Sequence, residues 1–342
     1  MGIPPVNSAM AKLRLVNLLD DFALGGVTRY LGIFDSQMLR SVVEPTLLGV
    51  APKAVIAPRL EADVIITNFP PSWRRILFLA SLRMRNPQAR LIHLEHSYTR
   101  AWETLKVPAK TRFRALLKIA LRVFDDVVCD SQNQADWLAE AASIDRQRIK
   151  VIYPYVENKG LEDLPLPDFS SSRPLRIGAF GRFHEQKGFD LLIEAYRAGA
   201  FHGAGLLIGG FGEDEAWLHA LAAGAPGLSF YGKVVDVPDF LSRCDVVAIP
   251  SRWEAGGLVN IEAREAGRPI LVSPVDGLPE QLGAAGRIVD FTSADAVAKA
   301  MASLEPSTLA AMAKAAREST KNCGVARQCE WAQFLAGTGA GT

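Results

Sequence analysis

Ser251-Arg252-Trp253-Glu254-Ala255-Gly256-Gly257-Leu258-Val259-Asn260-Ile261-Glu262 is the stretch on which the reading of this chain turns. The apolar run Val246-Val247-Ala248-Ile249-Pro250 leads into it as a buried strand would, and Glu262-Ala263-Arg264-Glu265-Ala266 continues as a helix. Glycines between them let the backbone approach a ligand, and a helix start offers unpaired N–H groups to an anion. Glu254 and Glu262 flank that turn. Two carboxylates so placed suit hydroxyl groups on either side of a bound phosphate, the layout of a nucleotide sugar. Taken alone, the stretch is read equally well as a glycine-eased turn with two solvated acids.

The rest of the chain supplies context. Its 342 residues are long enough for two cores, and 49% apolar and 22% charged residues are ordinary for a globular protein. No signal peptide is expected from residues 1–11, which lack a continuous apolar core, and no apolar run reaches the ~18 residues of a membrane span. Cys129, Cys244, Cys323 and Cys329 form no C-x-x-C pair, so buried thiols in a reducing cytoplasm are expected rather than a metal site. The net charge of +1 hides an asymmetry: residues 1–155 carry 21 Lys and Arg against 14 acids, whereas the remainder carries 17 against 23. Residues 74–122 alone hold 12 basic residues and two acids, Glu95 and Glu103. A basic half points to an anionic partner.

Short strands and helices alternate along both halves, which predicts an α/β protein of two doubly wound domains. Residues 13–18 form the first strand, followed by Gly25-Gly26 and a helix opening at Val27; 55–56 and 64–67 are further strand candidates. Residues 91–94 are a strand that delivers His96 to its carboxyl end, where open parallel sheets gather ligands, although a lone histidine is more often a plain loop residue. Phe113, Leu116, Leu117, Ala120 and Leu121 give one helix an apolar face, with Lys110, Arg114, Lys118 and Arg122 along its flank. That pattern fits a helix packed on the core as well as one resting on anionic headgroups. Residues 156–174, rich in Pro and Ser, are a linker. The expected layout is a first domain over 1–155, this linker, a second domain over 175–318, and a terminal helix over 319–342, with residues 309–335 read as one helical run.

In the second half, Gly181-Arg182 and Lys187-Gly188 place two cations on the loop after one strand, and Glu254, Gly256-Gly257 and Glu262 follow another. This arrangement resembles the retaining family-four glycosyltransferases of GT-B fold, which carry a G-R-…-K-G loop and an E-x7-E motif. Ala266-Gly267, Pro269-Ile270 and the Gly277–Glu280 segment match later family segments, and Gly25-Gly26 matches its first-domain turn. The resemblance is strong over 176–290 and loose over 1–150. It implies two Rossmann-like domains facing a cleft, with a final helix crossing back to the first domain. It further implies that Arg182 and Lys187 hold the donor diphosphate, aided by N–H groups around Gly26, Gly181 and Gly256–Gly257–Leu258. Glu262 would meet the ribose, Glu254 the donor sugar, and His96 the sugar or acceptor hydroxyl, with Val235 on the wall of the base site. Where many relatives have Pro-Phe after the first Glu, this chain has Ala255-Gly256, and Pro154-Tyr155 replaces an Asn-Gly pair at the domain joint.

The function so implied is transfer of a hexosyl group from a nucleoside-diphosphate sugar, a UDP- or GDP-sugar, to a hydroxyl of a lipid-linked or envelope glycan. No cofactor or metal is expected, and the place is the cytoplasm, peripheral on the inner face of the plasma membrane. A nucleotide-sugar epimerase of the same fold and a non-catalytic sugar-nucleotide-binding module are the alternatives. A Rossmann dehydrogenase is disfavoured because Gly209-Gly210-Phe211-Gly212 is not a G-x-G-x-x-G turn, and nucleic-acid binding because no recognised motif accompanies the basic belt.

Overall fold

The computed structural model describes residues 12–22, 25–170 and 173–337. Residues 1–11, on which the expectation about a signal peptide rests, lie outside these, as do 171–172 of the linker and 338–342 of the terminal segment. Among the described residues, twelve strands form two six-stranded sheets. The first holds β1 (Leu13–Leu19), β2 (Val43–Gly49), β3 (Val64–Thr67), β4 (Arg90–Glu95), β5 (Asp126–Cys129) and β6 (Ile149–Val151). The second holds β7 (Arg176–Arg182), β8 (Gly205–Phe211), β9 (Leu228–Gly232), β10 (Val246–Ile249), β11 (Ile270–Val272) and β12 (Gly286–Ile288). All pairings are parallel. Strands β3, β10 and β11 are buried along their whole length, as parallel sheets covered by helices on both faces require.

Strand order explains where the two halves meet. The first sheet runs β2-β1-β3-β4-β5-β6 and the second β12-β11-β10-β7-β8-β9. The chain therefore reverses direction across each sheet between β1 and β3 and between β7 and β10. Such switch points leave a crevice at the carboxyl ends of the strands. Ser251 to Gly257 leave β10, and Lys187 follows β7, so the second crevice is walled by the two motifs that stood out in the sequence.

Two strand assignments differ from the sequence reading. Val55 and Ile56 are exposed and lie in a loop, and the strand is Val43–Gly49, at the sheet edge beside β1. The terminal helical run is also two helices: Pro306–Thr320 packs beside Leu258–Glu265, and Asn322, with φ of 63°, turns the chain into Cys323–Leu335. This last helix crosses back to the first domain. Trp331 Nε1 donates to the Tyr30 hydroxyl at 3.1 Å and meets the Phe34 ring edge-on, while Arg90 donates to the Phe334 carbonyl at 2.7 Å.

Candidate active site in the interdomain cleft

The second domain supplies a loop of buried charge. Lys187 ends a short 3-10 turn after β7, and Gly188 behind it sits at φ of 64°, where a Cβ would lie 2.1 Å from the Pro250 carbonyl. Only glycine allows that approach, and it seats Lys187 beside the start of the 251–262 stretch. The Lys187 ammonium pairs with Glu254, whose carboxylate also accepts from Ser251 Oγ at 3.3 Å. Glu254 is itself fixed by its backbone: its N–H donates to Asp276 Oδ2 at 3.1 Å, and its carbonyl accepts from Gly277. Arg182 stands exposed at the end of β7, its side chain making no hydrogen bond or ion pair to any described residue.

Glu262, on the helix Leu258–Glu265, is completely buried. One carboxylate oxygen takes the Arg29 guanidinium from the first domain and, at 3.0 Å, the Asn158 amide from the linker. The other, Oε2, is buried with no partner among the described residues. Burial pushes this carboxyl above its usual range, opposed by Arg29, Asn158 and the Lys187 charge. A buried acceptor without a donor is rare in a folded protein and marks a place for a ligand group.

The first domain closes over this loop. Gly25 precedes the helix Gly26–Leu31, which carries Arg29, and Gly26 lies against Leu258. A Cβ at Gly256 would come within 2.7 Å of Pro154 and 3.1 Å of the Asp130 Cβ. Gly256 therefore admits the Pro154 and Asp130 side chains of the first domain where a larger residue would hold them off. Pro154-Tyr155 has a matching reason, because Tyr155 packs on Gly324 and hydrogen-bonds Glu265 while Pro154 presses on Gly256. Two further carboxylates bridge the cleft. Asp276 accepts the Ala101 N–H at 3.0 Å at the start of the helix Arg100–Lys106. Glu280 accepts the Gln132 N–H and the Tyr153 hydroxyl, each at 2.8 Å, at the start of the helix Gln132–Ala142. Each places a negative charge at the positive end of a helix from the other domain.

The structure thus brings Lys187, Glu254, Gly256, Gly257, Leu258 and Glu262 together with Gly25 and Gly26 across one cleft, with Gly181 and Arg182 on its β7 side. His96 follows β4 and hydrogen-bonds Asp130 through Nδ1 at 3.0 Å. Val235 is strongly exposed in the loop after β9. The basic helix is placed otherwise than a purely lipid-facing reading requires. Phe113, Leu116, Leu117, Ala120 and Leu121 are in the core, and Arg114 is held by buried Glu103 at 2.7 Å and by Glu140 at 3.2 Å. Lys110 and Arg122 are exposed, and Lys118 is half-buried. Arg29, Asn158, Asp130 and Asp276 escaped the sequence reading. Arg29 alone had a signal, since it lies three residues beyond the glycine pair.

Comparison with known proteins shows what the chain is similar to. Residues 169–322 match the family model of glycosyl transferases group 1, and residues 45–158 that of glycosyltransferase family 4. Each of these matches covers less than half of the chain. An uncharacterised 41.2 kDa protein in the cps region of Klebsiella pneumoniae is 26% identical over 66% of this chain and 64% of its own. A D-inositol 3-phosphate glycosyltransferase of Mycolicibacterium smegmatis is 30% identical over 48% of this chain and 42% of its own. The chain thus spans less than two thirds of the length of these curated relatives. The solved structure of Anabaena HepE in complex with UDP-glucose superposes with a TM-score of 0.76 at 19% identity, covering 95% of this chain and all of that one. The fold is GT-B. Among the described residues no helix is long and apolar enough to cross a membrane.

Proposed function

We propose that this chain is a retaining glycosyltransferase that moves a hexosyl group from a nucleoside-diphosphate sugar, UDP- or GDP-linked, to a hydroxyl of an envelope glycan. One observation carries the reading. At the switch point of the second sheet, a lysine–glutamate pair stands beside a fully buried glutamate with one oxygen left without a donor. Breaking the anomeric C–O bond leaves growing negative charge on a diphosphate, so positive charge placed there lowers the barrier. Lys187 exchanges Glu254 for that diphosphate, and exposed Arg182 adds a bidentate contact. Glu262 Oε2 accepts from a ribose hydroxyl, and Glu254, released from Lys187, turns to the donor sugar. Retention of configuration follows from the family resemblance alone. The same elements would serve an epimerase, which turns over its donor without any acceptor.

The acceptor side is the basic first domain. Exposed Trp73, Leu77 and Met84 lie on or beside the helix Ile76–Arg85, and the Arg112 guanidinium lies 5.9 Å from the Trp73 ring. Apolar side chains among Arg74, Lys110, Arg112 and Arg122 match an acceptor anchored in an anionic membrane. Arg114 is excluded from that role by its ion pair with Glu103.

The test is release of nucleoside diphosphate from a panel of UDP-, GDP- and ADP-sugars, with and without a bacterial glycolipid extract. Release from one donor class, accelerated by the extract, is the expected result. Full release without the extract favours the epimerase or a hydrolase, and none under either condition contradicts the assignment.

A further inference from the structure

We infer that Asp130 is a positioning residue: it holds the His96 ring so that Nε2 accepts a hydrogen bond from a carbohydrate hydroxyl in the cleft, an inference that rests on the glycosyltransferase reading above. Strands β4 and β5 are neighbours with Glu95 opposite Cys129, so the next residues, His96 and Asp130, leave the sheet side by side. Their contact runs from Nδ1 to Oδ2 at 3.0 Å. An ionised carboxylate can only accept, so the hydrogen belongs to Nδ1. In the neutral ring Nε2 then carries a lone pair. Both side chains are more than nine-tenths buried, and both His96 Nε2 and Asp130 Oδ1 are without a partner among the described residues. Two buried acceptors lacking donors form a site for a hydroxyl, which is the donor group that a sugar offers in abundance.

The surroundings fix this geometry and aim it at the donor loop. The Asp130 N–H donates to Gln134 Oε1 at 2.8 Å, and Gln134 Nε2 donates to the Tyr98 carbonyl at 2.9 Å, so the Asp130 backbone is pinned from within its own domain. The edge of Tyr30 abuts the His96 ring, with centroids 5.2 Å apart. Asp130 Cβ lies against Gly256, which connects the pair to the turn between Glu254 and Glu262. This gives the glycine at position 256 a second consequence: it brings the histidine–aspartate pair onto the sugar end of the donor site.

The chain has five histidines, so protein labelled with 15N-histidine gives a simple long-range 1H–15N spectrum, assigned for His96 with His96→Gln. The Nδ1–H tautomer is expected for His96 in the free protein, with a preference of about tenfold or more that Asp130→Ala reduces to near even. Asp130→Asn, which keeps the side-chain volume, reduces the same preference and serves if the alanine variant unfolds. An Nε2–H tautomer, or a tautomer unchanged in both variants, overturns the role of Asp130 whether or not any nucleotide binds. Adding UDP-glucose or GDP-mannose, compared with bare UDP or GDP, then reads the hydroxyl. A Nε2 shift with the nucleotide sugar alone places the hydroxyl on the donor. A shift only after glycolipid extract is added places it on the acceptor, and no shift despite nucleotide binding overturns the contact. If no nucleotide binds at all, the glycosyltransferase reading fails separately. In turnover, His96→Ala with Asp130→Ala should be no slower than His96→Ala alone, whereas multiplied losses would mean that Asp130 does not act through His96.

Discussion

Glu254 and Glu262 look equivalent in the sequence, yet the structure gives them opposite surroundings. Glu254 has a cation partner on its own domain, whereas Glu262 is gripped from across the cleft and keeps one free oxygen. Glu254→Gln is therefore expected to lower turnover by about 10²-fold while changing nucleoside diphosphate affinity little; equal losses in kinetics and calorimetry would contradict its contact with the sugar. Glu265, close by on the same helix, has its carboxyl raised to about 7, mainly by burial and against the pull of the Tyr155 hydroxyl. A raised acid binds its proton more tightly in the folded state, so its contribution is complete below the ordinary value of 4.5 and fades as pH rises through about 7. Glu265→Gln should then be more stable than the parent at pH 8, with the gap closing below pH ~5, as urea unfolding at both pH values will show. Of the site residues, Lys187, Glu254 and Glu262 were legible because their spacing follows single loops. Arg29, Asn158 and Asp276 were not, because each acts across a domain boundary, and Asp130 was not, because its partner His96 comes from a neighbouring strand; no local pattern encodes these partners.

Glycines decide how closely the elements can meet. Gly188→Ala adds a left-handed alanine facing the Pro250 carbonyl, so a loss of at least ~1–3 kcal/mol in urea unfolding is expected. The strands of both sheets were legible wherever burial is continuous, as in Val246–Ile249. Val43–Gly49 was missed because it is an edge strand, partly exposed and carrying Pro45, which lacks the N–H a central strand would need. Val55 and Ile56 misled for the converse reason: their β-branched side chains favour a strand, but both are largely exposed in a loop. The single long terminal helix was split by Asn322, a residue that tolerates positive φ. At the basic helix, periodicity found the apolar face correctly but did not reveal that buried Glu103 holds Arg114. Changing Lys110, Lys118 and Arg122 to Gln should weaken flotation with anionic liposomes, while Arg114→Gln should act mainly on stability; unchanged flotation in the triple variant would remove this helix from the proposed membrane face.

At the scale of the molecule, the two domains are joined by acids of the second domain set at the starts of first-domain helices. Asp276 and Glu280 lie on one loop of the second domain, and that loop also hydrogen-bonds the Glu254 backbone on both sides. Closure and the donor-sugar contact therefore share a support. Glu280→Ala removes a cap worth about 0.5–2 kcal/mol and should shift the protein toward a more open form, seen as a larger radius of gyration in X-ray scattering. An unchanged radius with and without nucleotide would mean that this contact does not hold the cleft closed. The two-domain architecture was legible from the repeated strand–helix alternation and the Pro-rich linker. How tightly the domains approach was not, since it depends on Gly256 meeting Pro154 and Asp130. The central claim is that the cleft at Lys187 and Glu262 is built for a nucleoside diphosphate. Calorimetric titration with UDP, GDP and ADP tests it most directly. One of the three should bind the native protein, and Glu262→Gln, with its fold verified by circular dichroism, should bind it about tenfold more weakly or worse. No binding by any of the three, or equal affinity in the variant, would contradict the account.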